Sequence, residues 1–247
     1  MIHLNMSPNP IPSARYIQSR AEKLSIFVTR ENAQERLANV TNPARKLVIA
    51  SILRTPGLPD FLYRRFISDP LAASGYDVIG QGGNAVVVRD GNRRVRKLYL
   101  ETEFLTDEEK VAKMKQWEER QRITLHHMGP YVVEQSFSID DNPLRQEGQS
   151  SIVTASQRLV IPDHAVSMAE IASGPGLRAF ADAGRAMHRK TFPAMVPDVV
   201  GDGNVLIEAN SRSIRLVDTI SLSESDLTEQ GVYSRALVTL GITTPES

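Results

Sequence analysis

Pro197-Asp198-Val199-Val200-Gly201-Asp202-Gly203-Asn204-Val205-Leu206-Ile207, then after six polar-turn residues Ile214-Arg215-Leu216-Val217-Asp218, is the stretch that decides how the chain is read. An acidic, amide-bearing turn from Asp198 to Asn204 feeds an apolar strand, Val205 to Ile207; residues 208–213 turn the chain into a second strand that ends at Asp218. Buried strands hold Asn204 and Asp218 side by side. Hard oxygen ligands of this kind, few enough to leave room for water and substrate phosphates, suit Mg²⁺ better than zinc or an all-protein calcium cage. Taken alone, Asp-Gly-Asn is equally an ordinary turn between strands. A second, independent motif has to decide.

That motif lies more than a hundred residues upstream. Tyr76 to Val88 reads as strand, glycine turn, strand, and Arg89-Asp90-Gly91-Asn92-Arg93 supplies a hairpin turn into Arg94-Val95-Arg96-Lys97-Leu98-Tyr99-Leu100. Gly80, Gly82 and Gly83 let backbone amides approach anionic oxygens without obstruction, and Lys97 adds a cation from the strand beneath. The plain alternative is an Asp-Gly hairpin carrying a surface lysine.

Gly80-x-Gly82-x-x-Ala85-x-Val87, Val95-x-Lys97, and the distant Asn204 and Asp218 stand in the order found in the protein-kinase-like superfamily, which this chain resembles over about residues 76–220. The resemblance implies that the glycine loop, Val87 and Lys97 hold ATP, that Asn204 and Asp218 hold Mg²⁺, and that Asp198 and Lys97 are the catalytic pair. It also implies a helix glutamate for Lys97, and Glu118 is the one expected, with Glu119 in reserve. Two departures stand out. The family's catalytic Asp precedes the Asn by five positions, where this chain has Val199, while Asp198 precedes it by six and Asp202, the other carboxylate open to that role, by two; and Thr219 follows Asp218 where Phe-Gly is usual.

The remaining segments fall around these motifs. Residues 1–12 read as a flexible arm, and residues 13–70 as a helical extension, with helices expected from Ser13 to about Val28, from Arg30 to Ala38 and from Thr41 to Arg54. The extension carries ten basic residues against five acidic ones, which a solvated helix surface explains and a protein-docking surface would also use. Thr106 caps a helix to Leu125, with Val111, Met114, Glu118 and Leu125 on one face. Tyr131 to Ile139 and Ser151 to Ile161 read as strands. Helices follow over Val166 to Ala172, Gly176 to Arg189 and Val232 to Leu240, and His188 is given a packing role.

Composition narrows the function classes. The 29 basic and 29 acidic residues cancel, so nothing global draws the chain to nucleic acid or an anionic membrane. Without cysteine there is no disulfide, thiolate metal site or thiol nucleophile, which fits a reducing compartment. The apolar runs Leu24 to Val28 and Leu47 to Leu53 fall far short of the roughly 18 residues a membrane span needs, and Met1 to Arg20 lacks the apolar core of a secretion signal.

The expectation is therefore an α+β chain with a two-lobed, protein-kinase-like fold: a small antiparallel-sheet lobe over 71–162, a reduced helical lobe over 163–247, and the helical extension before them. The expected activity is ATP- and Mg²⁺-dependent phosphoryl transfer to a hydroxyl, with protein Ser/Thr as acceptor and a small-molecule hydroxyl as the other choice, in the cytoplasm or after delivery into another cell. A pseudokinase that binds nucleotide or scaffolds a protein partner through the extension is the rival expectation.

Overall fold

The computed structural model describes residues 58–81, 85–201, 203–226 and 230–242, together with Pro43, Leu47, Ala50, Ser51 and Arg54, which are helical. The arm and the helices expected over 13–28 and 30–38 lie outside the described residues, as does most of the helix expected over 41–54. The chain divides into two compact units, Met1–Gly75 and Tyr76–Ser247.

In the first unit, helix α1 (Leu58–Tyr63) runs through a π-helical stretch, Arg64–Ser68, into α2 (Asp69–Ala73), and Ile67 and Leu71 are fully buried. Pro70 sits in the first turn of α2, where its missing N–H costs least. Gly75, at φ 85°, ends the unit in the left-handed conformation that terminates helices without a Cβ clash.

The second unit opens with strands β1 (Val78–Gln81), β2 (Val86–Asp90) and β3 (Arg94–Tyr99). Gly91, at φ 71°, makes the tight return from β2 to β3 that the Asp-Gly pair implied. After helix α3 (Asp107–Met128) come β4 (Gln135–Asp141) and β5 (Ser151–Arg158), completing a five-stranded antiparallel sheet of order β1-β2-β3-β5-β4. The start of α3 is sealed by a capping box: Glu109 N–H donates to Thr106 Oγ1 at 3.2 Å, and Thr106 N–H donates to Glu109 Oε2 at 2.8 Å.

The inward face of α3 differs from the expected one. Val111 and Glu118 are exposed, whereas Trp117, Gln121, Thr124 and Met128 are buried. Trp117 sets the helix rotation by stacking on Tyr99 (centroids 4.4 Å apart) and approaching Phe137 (6.1 Å), and burying one large aromatic outweighs a weak stripe of smaller apolar residues.

Beyond the sheet, β6 (Pro162–Ala165), β8 (Val205–Glu208) and β9 (Ile214–Leu216) form a three-stranded antiparallel sheet, while β7 (Met195–Val196) pairs with β10 (Leu222–Ser223). Helices α4 (Met168–Ser173), α5 (Arg178–Lys190) and α6 (Gln230–Thr239) pack with them. Phe180, Met187, Val205, Leu216 and Leu240 belong to their shared core, which also takes in Met128 at the end of α3. The architecture is mixed α+β with several helices and antiparallel sheets. Among the described residues no helix is long and apolar enough to cross a membrane.

Glu208 joins the end of β5 to the β8-β9 hairpin. It accepts hydrogen bonds from Arg158, from Ser211 at 2.8 Å and from Arg215 Nε at 2.9 Å. These donors, Arg158 foremost, lower its carboxyl to about 2. Because the folded carboxyl holds its proton more weakly than the unfolded one, its stabilisation is complete above the unfolded value of 4.5 and drains away as pH falls toward about 2. Glu208→Gln is expected to lose about 1–2 kcal/mol at pH 7, a figure kept small because Arg158 is nearly half exposed. The deficit should shrink below pH 4.5; urea midpoints at pH 7 and pH 3 check it, and an equal deficit at both would refute the assignment.

Candidate functional site

Lys97 occupies the middle of the five-stranded sheet, opposite Val87 on β2 and Ala155 on β5, while Val87 in turn faces Gly80 on β1. Directly paired residues in antiparallel strands share a face, so Gly80, Val87 and Lys97 form one cross-strand row. A methyl on Gly80 would meet only Val87, at 3.7 Å, which is ordinary contact. Gly82 and Gly83 lie outside the described residues.

The lysine is nearly buried, at 7% exposure. Its Nζ donates to Val217 O at 2.9 Å and lies 3.7 Å from Asp218 Oδ1. Val217 O also accepts from Gln135 Nε2 at 2.9 Å, so the main chain just before Asp218 is held from two directions. Folding thus brings together two residues that the sequence reading singled out from opposite ends of the second unit. Asp218 keeps a third of its side chain exposed, enough for water or a cation to reach it.

The β8-β9 hairpin brings the main chain of Asn204 beside this segment. Val205 pairs with Leu216, and Val217 N–H donates to Asn204 O at 2.9 Å, which sets Asn204 opposite Val217 and one residue from Asp218. Its own loop closes tightly. Asn204 N–H donates to Gly201 O at 3.0 Å, Asn204 Nδ2 donates to Asp198 O at 3.3 Å, and Asp198 Oδ1 accepts from Val200 N–H at 3.1 Å. With Nδ2 turned to Asp198, the amide oxygen is the Asn204 atom suited to a cation. Gly201 leaves room for the Asn204 amide: a Cβ there would stand 2.8 Å from Asn204 Nδ2 and 2.9 Å from its Oδ1, so the amide would have to move.

Glu118 takes no part in this arrangement. It lies on the exposed side of α3, and the carboxylate beside Lys97 is Asp218 instead. Rotation of α3 around Trp117 is the cause. Glu119, the reserve, is also exposed and pairs with Arg122. Asp202 lies outside the described residues. His188 is half-buried, its ring 6.4 Å from that of Tyr233, as suits packing.

The donor set is small. Among the described residues no three His, Asp or Glu side chains gather into a metal site, and one amide oxygen plus one carboxylate would hold a hard divalent ion only together with water or substrate oxygens. The buried amides of Gln121 and Gln135, which no motif in the sequence marks, contact the residues flanking Asp218. No family model matches the chain, and no curated protein is detectably similar to it in sequence.

Proposed function

We propose that the chain is a minimal, two-lobed protein-kinase-like phosphotransferase that uses ATP and Mg²⁺ and phosphorylates a hydroxyl, with a protein Ser/Thr as the favoured acceptor and a small-molecule hydroxyl as the other. The approach of Lys97 Nζ to Asp218 Oδ1, 3.7 Å across 120 residues of chain, carries this reading. Charge complementarity to a magnesium–polyphosphate requires a cation and a metal-binding carboxylate in one place. A five-stranded antiparallel sheet with one helix between its third and fourth strands, followed by a hairpin bearing Asn204 and Asp218, supports it further.

In this reading the Gly80 turn and Lys97 bind the phosphates, and Asn204 and Asp218 hold Mg²⁺, which would offset phosphate charge. Asp198 orients the acceptor hydroxyl and takes its proton. Val87, on the row of Lys97, borders the nucleotide.

A second reading, a nucleotide-binding module without transfer, is favoured by one observation. Asp198 Oδ1 is already engaged by Val200 N–H in its own turn.

Nucleotide binding provides the test. ATP is expected to raise the melting temperature only with Mg²⁺ present, by an amount equivalent to about 2.7 kcal/mol at a hundredfold excess over Kd. Gly201→Ala should melt near wild type without ligand, since its backbone is not left-handed and the crowded group is a movable side-chain end. It should lose the Mg²⁺-dependent increment, because Asn204 has to swing aside, and Asp218→Ala should lose it too. Equal stabilisation in EDTA, with both variants responding like wild type, would reject the metal hairpin.

A further inference from the structure

Buried amides are the unexplained feature around Asp218. Gln121 and Gln135 are 6% and 3% exposed, and Thr219 is fully buried. Gln121 Oε1 accepts from Thr219 Oγ1 at 2.7 Å and from Gln135 N–H at 2.9 Å, and Gln121 Nε2 donates to Gln135 O at 2.8 Å. Gln135 Nε2 in turn donates to Gln157 Oε1 at 2.8 Å and to Val217 O at 2.9 Å, the carbonyl that Lys97 also binds. The network therefore grips the chain on both sides of Asp218, at Val217 and at Thr219.

Stability alone does not account for it. Among the described residues Gln135 Oε1 is buried without a hydrogen-bond partner, and an unmet buried acceptor costs more than an apolar side chain of the same shape. One Gln135 amide hydrogen is aimed at Val217 O, and Gln121 Oε1 holds the Thr219 hydroxyl on the other side of Asp218. No glutamate of α3 pairs with Lys97 among the described residues, so the helix reaches the site through Gln121 instead.

We infer that Gln121 and Gln135 are positioning residues for this site: they fix turn 217–219, and through it the placement of Asp218 and Lys97. The inference rests on the phosphotransferase reading. In metal sites, partners that orient a ligand without touching the ion typically change affinity by about 10–100-fold when removed.

Thr219→Val is the chosen variant, because replacing Gln121 risks the fold. Valine keeps the volume and removes only the hydroxyl, while Gln121 Oε1 still accepts from Gln135 N–H. Thr219→Ser keeps the hydroxyl. Two readouts are compared with wild type: amide hydrogen exchange over residues 214–222 without ligand, and the Mg²⁺ concentration that half-saturates the ATP-induced melting shift. Thr219→Val is expected to speed the exchange and raise the Mg²⁺ requirement by about tenfold, with Thr219→Ser near wild type in both. Unchanged exchange, or faster exchange without a raised Mg²⁺ requirement, overturns the inference while wild type still responds to Mg-ATP. Equal effects of the two variants also overturn it, since the hydroxyl would then not matter. Absence of any Mg²⁺-dependent response in wild type overturns the phosphotransferase reading, and this role falls with it.

Discussion

Lys97→Met is expected to cut phosphoryl transfer from ATP by about 10²-fold or more in kcat/KM while the protein stays folded, as for loss of one fixed charge at a developing anionic centre. The two halves of that expectation come from the same few atoms. The lysine is 7% exposed and its ammonium meets Val217 O and Asp218. Removing one member of a fully buried ion pair costs about 3–5 kcal/mol because the other charge is stranded. Here neither partner is stranded. Val217 O retains its hydrogen bond from Gln135 Nε2, and Asp218, one-third exposed, can turn to water. Methionine fills nearly the same space, and the cost of desolvating an ammonium disappears, so the stability loss should stay near 1–2 kcal/mol. Autophosphorylation and ATP hydrolysis with labelled ATP and Mg²⁺ read the first half, and the urea midpoint reads the second. Wild-type turnover in a folded Lys97→Met protein would remove Lys97 from the nucleotide site.

What was legible in the sequence was local. Asp90-Gly91 announced the β2-β3 return because only glycine takes φ 71° without strain, and Thr106 with Glu109 announced the start of α3 because both partners of the capping box lie within one turn. Lys97, Asn204 and Asp218 could be singled out because glycines and an acidic turn mark them. The rotation of α3 was not legible. Its sequence is polar nearly all round, so the buried face is chosen by what Trp117 meets on β3 and β4, which no helical period records. Strand β6 was hidden for a related reason: Pro162-Asp163-His164-Ala165 is exposed and short, and only its pairing with β8, some forty residues on, makes it a strand. The amides of Gln121 and Gln135 left no trace either, since a buried glutamine and a solvent-facing one look alike until the sheet closes over them.

Asp198, the proposed base, is the position where sequence and geometry pull apart, and Asp198→Asn separates the possibilities. Asp198 stands six residues before Asn204, one more than the kinase-like pattern, and hydrogen bonds close the loop between them: Asn204 Nδ2 donates to Asp198 O and Asn204 N–H to Gly201 O. The loop end carrying Asp198 is thereby tied to the hairpin carrying Asn204 and Asp218. Asparagine at 198 keeps an oxygen for Val200 N–H at the place of Oδ1, so this hydrogen bond is retained while the charge and basicity are removed. With Asp198 as the base, Asp198→Asn is expected to lower kcat by about 10²–10⁴-fold while the Mg-ATP melting shift is retained, since a general base acts on the reaction more than on ground-state binding. Asp202→Asn is the matched control, and a collapse there with Asp198→Asn active would transfer the role to Asp202. Two fully active variants would remove both carboxylates from the chemistry. A wild-type protein that binds Mg-ATP but phosphorylates neither itself nor water nor any offered hydroxyl would leave Asp198 as a loop-closing residue, its Oδ1 committed to Val200, and the chain as a nucleotide-binding module.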